Sequence, residues 1–195
     1  MPALRVLLVI ALAAVPQVAW PAAVQLPRTG QIFCYSATGA IISCAGTGQD
    51  GEDRTGVAWP APRFTDNGDG TVIDHLTDLI WLRNAGCIPE GSWDAALQAA
   101  NGLHSGECGL ADNSAPGDWR LPNVSELESL IDLGLNRPAL AAGHPFLNLD
   151  PSVYWTSTTH AHYTANAWCV DLLDGTVIGD VKVVNHRFLA VKDGQ

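Results

Sequence analysis

His160 and His162 lie two residues apart, so in an extended segment both imidazoles project from the same face. Such a pair could begin a metal site, but no spacing in the chain marks a third ligand, and polar loop residues are the plainer account. No metal and no cofactor is therefore expected. Tyr154, Trp155, Tyr163, Asn166 and Trp168 fall in the same short window as the two histidines. Aromatic faces beside amide and hydroxyl groups are the chemistry of sugar and protein recognition. His160, His162, Tyr163, Asn166 and Tyr154 are accordingly the candidate ligand-binding residues. Trp155 and Trp168 read equally well as core residues of neighbouring strands.

Other chemistries find less support. The hydroxyl run Thr156-Ser157-Thr158-Thr159 has no Gly-x-Ser-x-Gly elbow, and no phosphate loop, dinucleotide fingerprint or His-Glu-x-x-His occurs. Glu126, Glu128 and Asp132 read as the solvated side of a helix rather than an acid–base pair. Asp66-Asn67-Gly68-Asp69-Gly70 invites a calcium reading, yet counting from Asp66 puts Gly68, Gly70 and Thr77 where an EF-hand loop needs oxygen ligands. A glycine-rich hairpin turn fits better. No catalytic residue is assigned.

The elements that must hold these residues begin with a leader. Residues 1–23 carry Arg5, then the apolar run Val6–Val15, then small residues at Ala19, Ala22 and Ala23, the pattern of a secretory signal peptide. The mature chain is then expected to be exported, periplasmic or at the cell surface, with no membrane span. Twenty acidic residues against 10 basic give a formal charge of −10, which argues against nucleic-acid partners. With 47% apolar and only 15% charged residues, the chain folds around a real core.

Export makes the cysteines a disulfide framework. Five cysteines allow five choices of the odd one and three pairings of the rest. Cys34 and Cys44 bracket a turn-containing segment whose hairpin would bring them within bonding range. Cys87 and Cys108 flank a short helix. Cys169 is left over in a strand pattern, either as a small buried hydrophobe or, more sharply, as a nucleophile.

Residues 24–62 read as a disulfide-tied hairpin and an irregular connector, and residues 63–195 as the main domain. Leu26-Pro27-Arg28-Thr29-Gly30 matches a wall-sorting pattern but stands far from the C-terminal place that pattern requires. In the main domain Asp78–Leu82 reads as a short buried strand. A first helix is capped by Ser92 and buries Trp93, Ala96, Leu97 and Ala100; a second has an Asn123–Glu126 capping pair and a stripe of Val124, Leu127, Leu130 and Ile131. Strands follow over Val153–Thr159, Ala167–Leu173, Thr176–Val184 and Arg187–Val191.

The segments LPRTGQIFCYSATGAIISCAGTGQDG, FTDNGDGTVIDHLTDLIWLRNAGC, GDWRLPNVSELESLID and YWTSTT…AWCVDLLDGTV, in that order and covering most of residues 26–195, resemble the Lcl C-terminal domain family, bacterial exported domains of unknown function. That family is similar in turn to the C-type-lectin-like and sulfatase-modifying-factor folds. The resemblance implies an α+β domain of two helices packed on a twisted antiparallel sheet with long loops. It also implies structural roles for Trp119, Arg120, Leu121, Pro122 and Glu126 at the second helix, and for Tyr154, Trp155 and Trp168 in the sheet. The Glu-Pro-Asn, Gln-Pro-Asp and Trp-Asn-Asp motifs of calcium-dependent lectins are missing, as are the paired catalytic cysteines of formylglycine-generating enzymes. The expected function is a non-enzymatic adhesion-type domain that binds a glycan or a surface protein. The alternatives are a hydrolase or oxidase on the same scaffold, or a structural envelope protein.

Overall fold

A computed structural model describes residues 26–141 and 143–194. The expected signal peptide, residues 1–23, lies outside the described residues. The chain begins with a two-stranded hairpin, β1 (Cys34–Tyr35) and β2 (Ile41–Ile42), closed by a Cys34–Cys44 disulfide and followed by one helical turn, α1 (Asp50–Asp53). A four-stranded antiparallel sheet then forms in the order β3 (Phe64–Asp66), β4 (Thr71–Asp74), β5 (Leu79–Leu82) and β9 (Val191–Asp193). Between its third and fourth strands the chain makes α2 (Trp93–Gly102), α3 (Val124–Glu128) and a second antiparallel sheet, β6 (Val153–Thr159), β7 (Asn166–Asp171) and β8 (Val177–Val181). The α+β class, the antiparallel sheets and the tied hairpin thus agree with the sequence. Among the described residues the helices number three, because Asp50–Asp53 forms a turn that polar composition hides.

Each local signal has a physical counterpart. The β3–β4 turn is closed by its own carboxylates: Asp66 Oδ1 accepts the Gly68 N–H, and Asp69 Oδ1 accepts the Thr71 N–H and hydroxyl. Gly70 sits at φ +87°, and a Cβ there would strike the Gly109 carbonyl, so both dihedral and space demand glycine. Ser92 Oγ accepts the Ala95 N–H at the start of α2, which buries Ala96 and Ala100. Asn123 and Glu126 form a complete capping box on α3. That helix is shorter than its apolar stripe suggests. Leu130 and Ile131 are buried, but in the turn after it.

Two expectations about the sheet need correction. A single twisted sheet was expected; the main domain has two. Arg187–Val191 was expected as one strand, but Phe188, Leu189 and Ala190 form a buried passage between the sheets and only Val191 enters β9. Arg187 and Val191 make isolated bridges with Tyr154 and Arg120 on the way. Continuous burial of 188–190, which alternation cannot reveal, is the reason.

The core joins the two sheets and the helices through Trp81, Trp119, Trp155, Tyr154, Leu127, Leu172 and Leu189, all essentially inaccessible. Cys87 and Cys108 are disulfide-bonded, tying the segment before α2 to the loop after it. Arg120 is bidentate on Glu126 at 2.7 and 2.8 Å and also reaches Asp193, linking the start of α3 to β9. Trp119 donates its indole N–H to Ser114 Oγ, and the Pro122 carbonyl accepts the Ser157 N–H from β6.

Candidate functional site

The loop between β6 and β7 is short and closed by hydrogen bonds of its own. His160 N–H donates to the Asn166 carbonyl at 3.0 Å, and Asn166 N–H donates to the Tyr163 carbonyl at 2.7 Å. Inside that ring the His160 side chain folds back, so that its Nδ1 accepts the N–H groups of His162 at 3.2 Å and Tyr163 at 3.1 Å. With Nδ1 an acceptor, the proton of the neutral imidazole sits on Nε2.

The rings assemble into a row. His160 stacks on Trp168 with centroids 4.5 Å apart and planes 22° apart. Tyr163 meets the other side of His160 at 5.2 Å, and His162 meets Tyr163 edge-on at 4.5 Å. The row stands on β8 where Gly179 pairs with Trp168; a Cβ on Gly179 would lie 3.0 Å from His160 Cδ2. Glycine there lets the imidazole come down onto the sheet. Tyr163, at the outer end, is 60% exposed, and Val181 beside Asn166 is also exposed. At the same end of the sheet the Lys182 ammonium lies 3.9 Å from the Trp93 ring centroid and donates to Thr159 Oγ1.

Of the sequence-derived ligand set, His160, His162, Tyr163 and Asn166 come together here. Tyr154 does not. It is fully buried, its hydroxyl donates to the Asp150 carbonyl, and burial pushes its phenol up to about 12. The correction has a simple cause. Trp93 donates to the Thr156 carbonyl and the α3 N-terminal Val124 N–H donates to Thr158 Oγ1, so both helices pack against β6. Trp155 is likewise buried, donating its indole N–H to the Gly91 carbonyl. Trp168 is half-buried and belongs to the ring row. Trp93, Gly179 and Lys182 were missed as neighbours of this end of the sheet, since only strand register and helix docking reveal them.

Two other places could hold chemistry. A cleft of about 910 Å³ beside β4, β5 and β9 is lined by Asp69, Asp78, Asp112, Asp118, Asp193 and Lys192. Four of its five carboxylates, those of Asp69, Asp112, Asp118 and Asp193, are engaged by the protein. Burial pushes Asp112 up, and the Lys192 ammonium with the Ser114 hydroxyl and N–H outweighs it and holds the carboxyl below the usual range. Asp118 accepts the Ala115 N–H, and Asp193 accepts from Arg120. Among the described residues no group of three His, Cys, Asp or Glu side chains is arranged to hold a metal ion.

The other is Cys169. It is wholly buried, opposite Trp155 in the β6–β7 register. Burial, with a smaller push from the Asp180 charge, takes its thiol up to about 12. Thiolate is therefore scarce at any physiological pH. A thiol reagent applied to the native protein at about pH 8 should leave Cys169 unlabelled, with one equivalent taken up after unfolding without reductant. Rapid native labelling would show an accessible thiol and revive the nucleophile reading.

No curated protein matches the chain. No helix of the described residues is long and apolar enough to cross a membrane. The model of the Lcl C-terminal domain matches residues 70–192, well over half of the chain, taking in β4 to β9, both disulfide-flanked α2 and capped α3, and the ring row. By that match this chain belongs to the Lcl C-terminal domain family.

Proposed function

We propose that this protein is an exported, non-enzymatic recognition domain of C-type-lectin-like architecture, and that it binds a glycan through the β6–β7 loop. The carrying observation is Tyr163, an aromatic side chain 60% exposed yet held by ring contacts to His160 and His162. Exposing a large ring costs solvation, and fixing it in advance lowers the entropy lost on binding. A rigid aromatic face with the His160 and His162 imidazoles against it suits the apolar face and hydroxyl edge of a sugar ring. The leader pattern of residues 1–23 and two disulfides support export. The succession of α2, α3 and an antiparallel sheet reached through long loops supports the lectin-like architecture.

The test is a glycan array with residues 24–195, run with and without EDTA. Saturable binding to one glycan class that survives EDTA is the expected result. Tyr163→Ala should then weaken that binding by about tenfold or more, the loss of a central aromatic contact, while leaving the melting temperature within a degree or two. Binding abolished by EDTA would overturn the metal-free reading. A blank array would put a protein ligand, or a structural role in the envelope, ahead of sugar.

A further inference from the structure

We propose that His160 is the clasp of the ligand-binding loop: by accepting the His162 and Tyr163 N–H groups at Nδ1 it sets the position of the exposed Tyr163 ring. The inference rests on the recognition reading for its use, but its chemistry stands on the loop alone.

Backbone hydrogen bonds tie the loop through the His160 N–H to the Asn166 carbonyl, the Asn166 N–H to the Tyr163 carbonyl and the Lys182 N–H to the Ala165 carbonyl, and the His162 and Tyr163 N–H groups are left to the imidazole. Its stack on Trp168 and its seat over Gly179 fix the ring, and Nδ1 then holds the two N–H groups that precede the exposed tyrosine side chain. A side-chain acceptor bonded to N–H groups two and three residues ahead is what Asn and Asp supply at turns and helix starts. Here an imidazole does it, with one difference: the ring is itself held by a stack on Trp168.

A ring that presented an N–H at Nδ1 would face two donors, so the clasp requires the neutral ring with its proton on Nε2.

Nitrogen-15 NMR of the imidazoles and solvent-exchange rates of the His162 and Tyr163 amides, corrected for the intrinsic pH dependence of exchange, test this without any ligand. In the wild-type protein at about pH 8, His160 should show a bare Nδ1 and a protonated Nε2. His160→Ala should speed exchange of those two amides by roughly tenfold, the size expected when an ordinary hydrogen bond is lost. His160→Asn, whose amide oxygen can accept the same N–H groups, should restore that protection, while the core Val170 amide stays protected in every variant. A proton on Nδ1 at about pH 8, unchanged protection in His160→Ala, or an Asn variant as exposed as the Ala variant would each overturn the clasp. Should neither variant fold, the wild-type nitrogen spectrum decides it. A blank glycan array beside an intact clasp would sink the recognition reading alone.

Discussion

Asp74→Ala should cost about 3–5 kcal/mol of folding stability, the loss expected when one partner of a buried ion pair is removed. Asp74 is completely inaccessible and all its capacity is used. Oδ1 accepts from Arg63 Nε at 3.1 Å and the Leu76 N–H at 3.0 Å; Oδ2 accepts from Arg63 Nη2 at 2.9 Å and the Thr77 hydroxyl at 3.1 Å. The guanidinium left behind is only 7% exposed, lying 4.5 Å from the Trp59 ring centroid and 4.7 Å from that of Phe64. Arg63 also donates to the Ser129 carbonyl, so the pair joins the connector, the β3–β4 hairpin and the turn after α3. Urea unfolding with both disulfides intact measures the cost. Replacing both partners, Arg63→Met with Asp74→Leu, should recover much of it, because the penalty comes mainly from the stranded charge rather than from the worth of the pair. A loss below about 1 kcal/mol in the single variant would show that water reaches Arg63 and that the pair behaves as a surface one.

Nothing in the sequence marks Arg63 and Asp74 as partners. They come together because Phe64 pairs with Asp74 across β3 and β4, and register follows from the turn and the buried face, not from either charge. Signals that live within one element were legible: the Asn123–Glu126 capping box, the Ser92 cap, the carboxylate-closed turn at Asp66–Thr71 and the bounds of β6. Cys34–Cys44 was legible because a hairpin leaves little else in reach. Period-two alternation failed at Tyr154, since Tyr154, Trp155 and Thr156 are consecutive and all buried where helices pack against β6. It failed again at 188–190, a buried passage rather than a strand. At the candidate site the sequence gathers the aromatic residues into one window, but it cannot say which way a ring turns. The Nδ1 clasp and the seat on Gly179 are properties of a rotamer and a register.

Trp155→Ala carries the other large expected effect, about 3–5 kcal/mol, and its partner variant separates packing from hydrogen bonding. The indole is fully buried, faces Cys169 across β6 and β7, and meets the His186 ring edge-on at 4.7 Å. Its N–H donates to the Gly91 carbonyl at 3.0 Å, but that same oxygen also accepts the His186 N–H at 3.1 Å. Losing the indole donor therefore leaves Gly91 with a partner. Trp155→Phe, which keeps most of the ring and drops only the donor, should cost about 1–2 kcal/mol, an ordinary hydrogen bond plus a small void. Equal losses in the two variants would mean that the hydrogen bond to the segment before α2, not the buried ring, holds the second sheet in place. The same contrast protects the reading of the ligand loop. Trp155 lies beneath the sheet that carries the ring row, so weaker ligand binding in Trp155→Ala would follow from a loosened β6–β7 pair and should track the fall in melting temperature. In Tyr163→Ala the two should separate, because Tyr163 supports nothing below it. If binding falls with stability along one line for both variants, Tyr163 is acting through the fold and the ring row is not the contact surface.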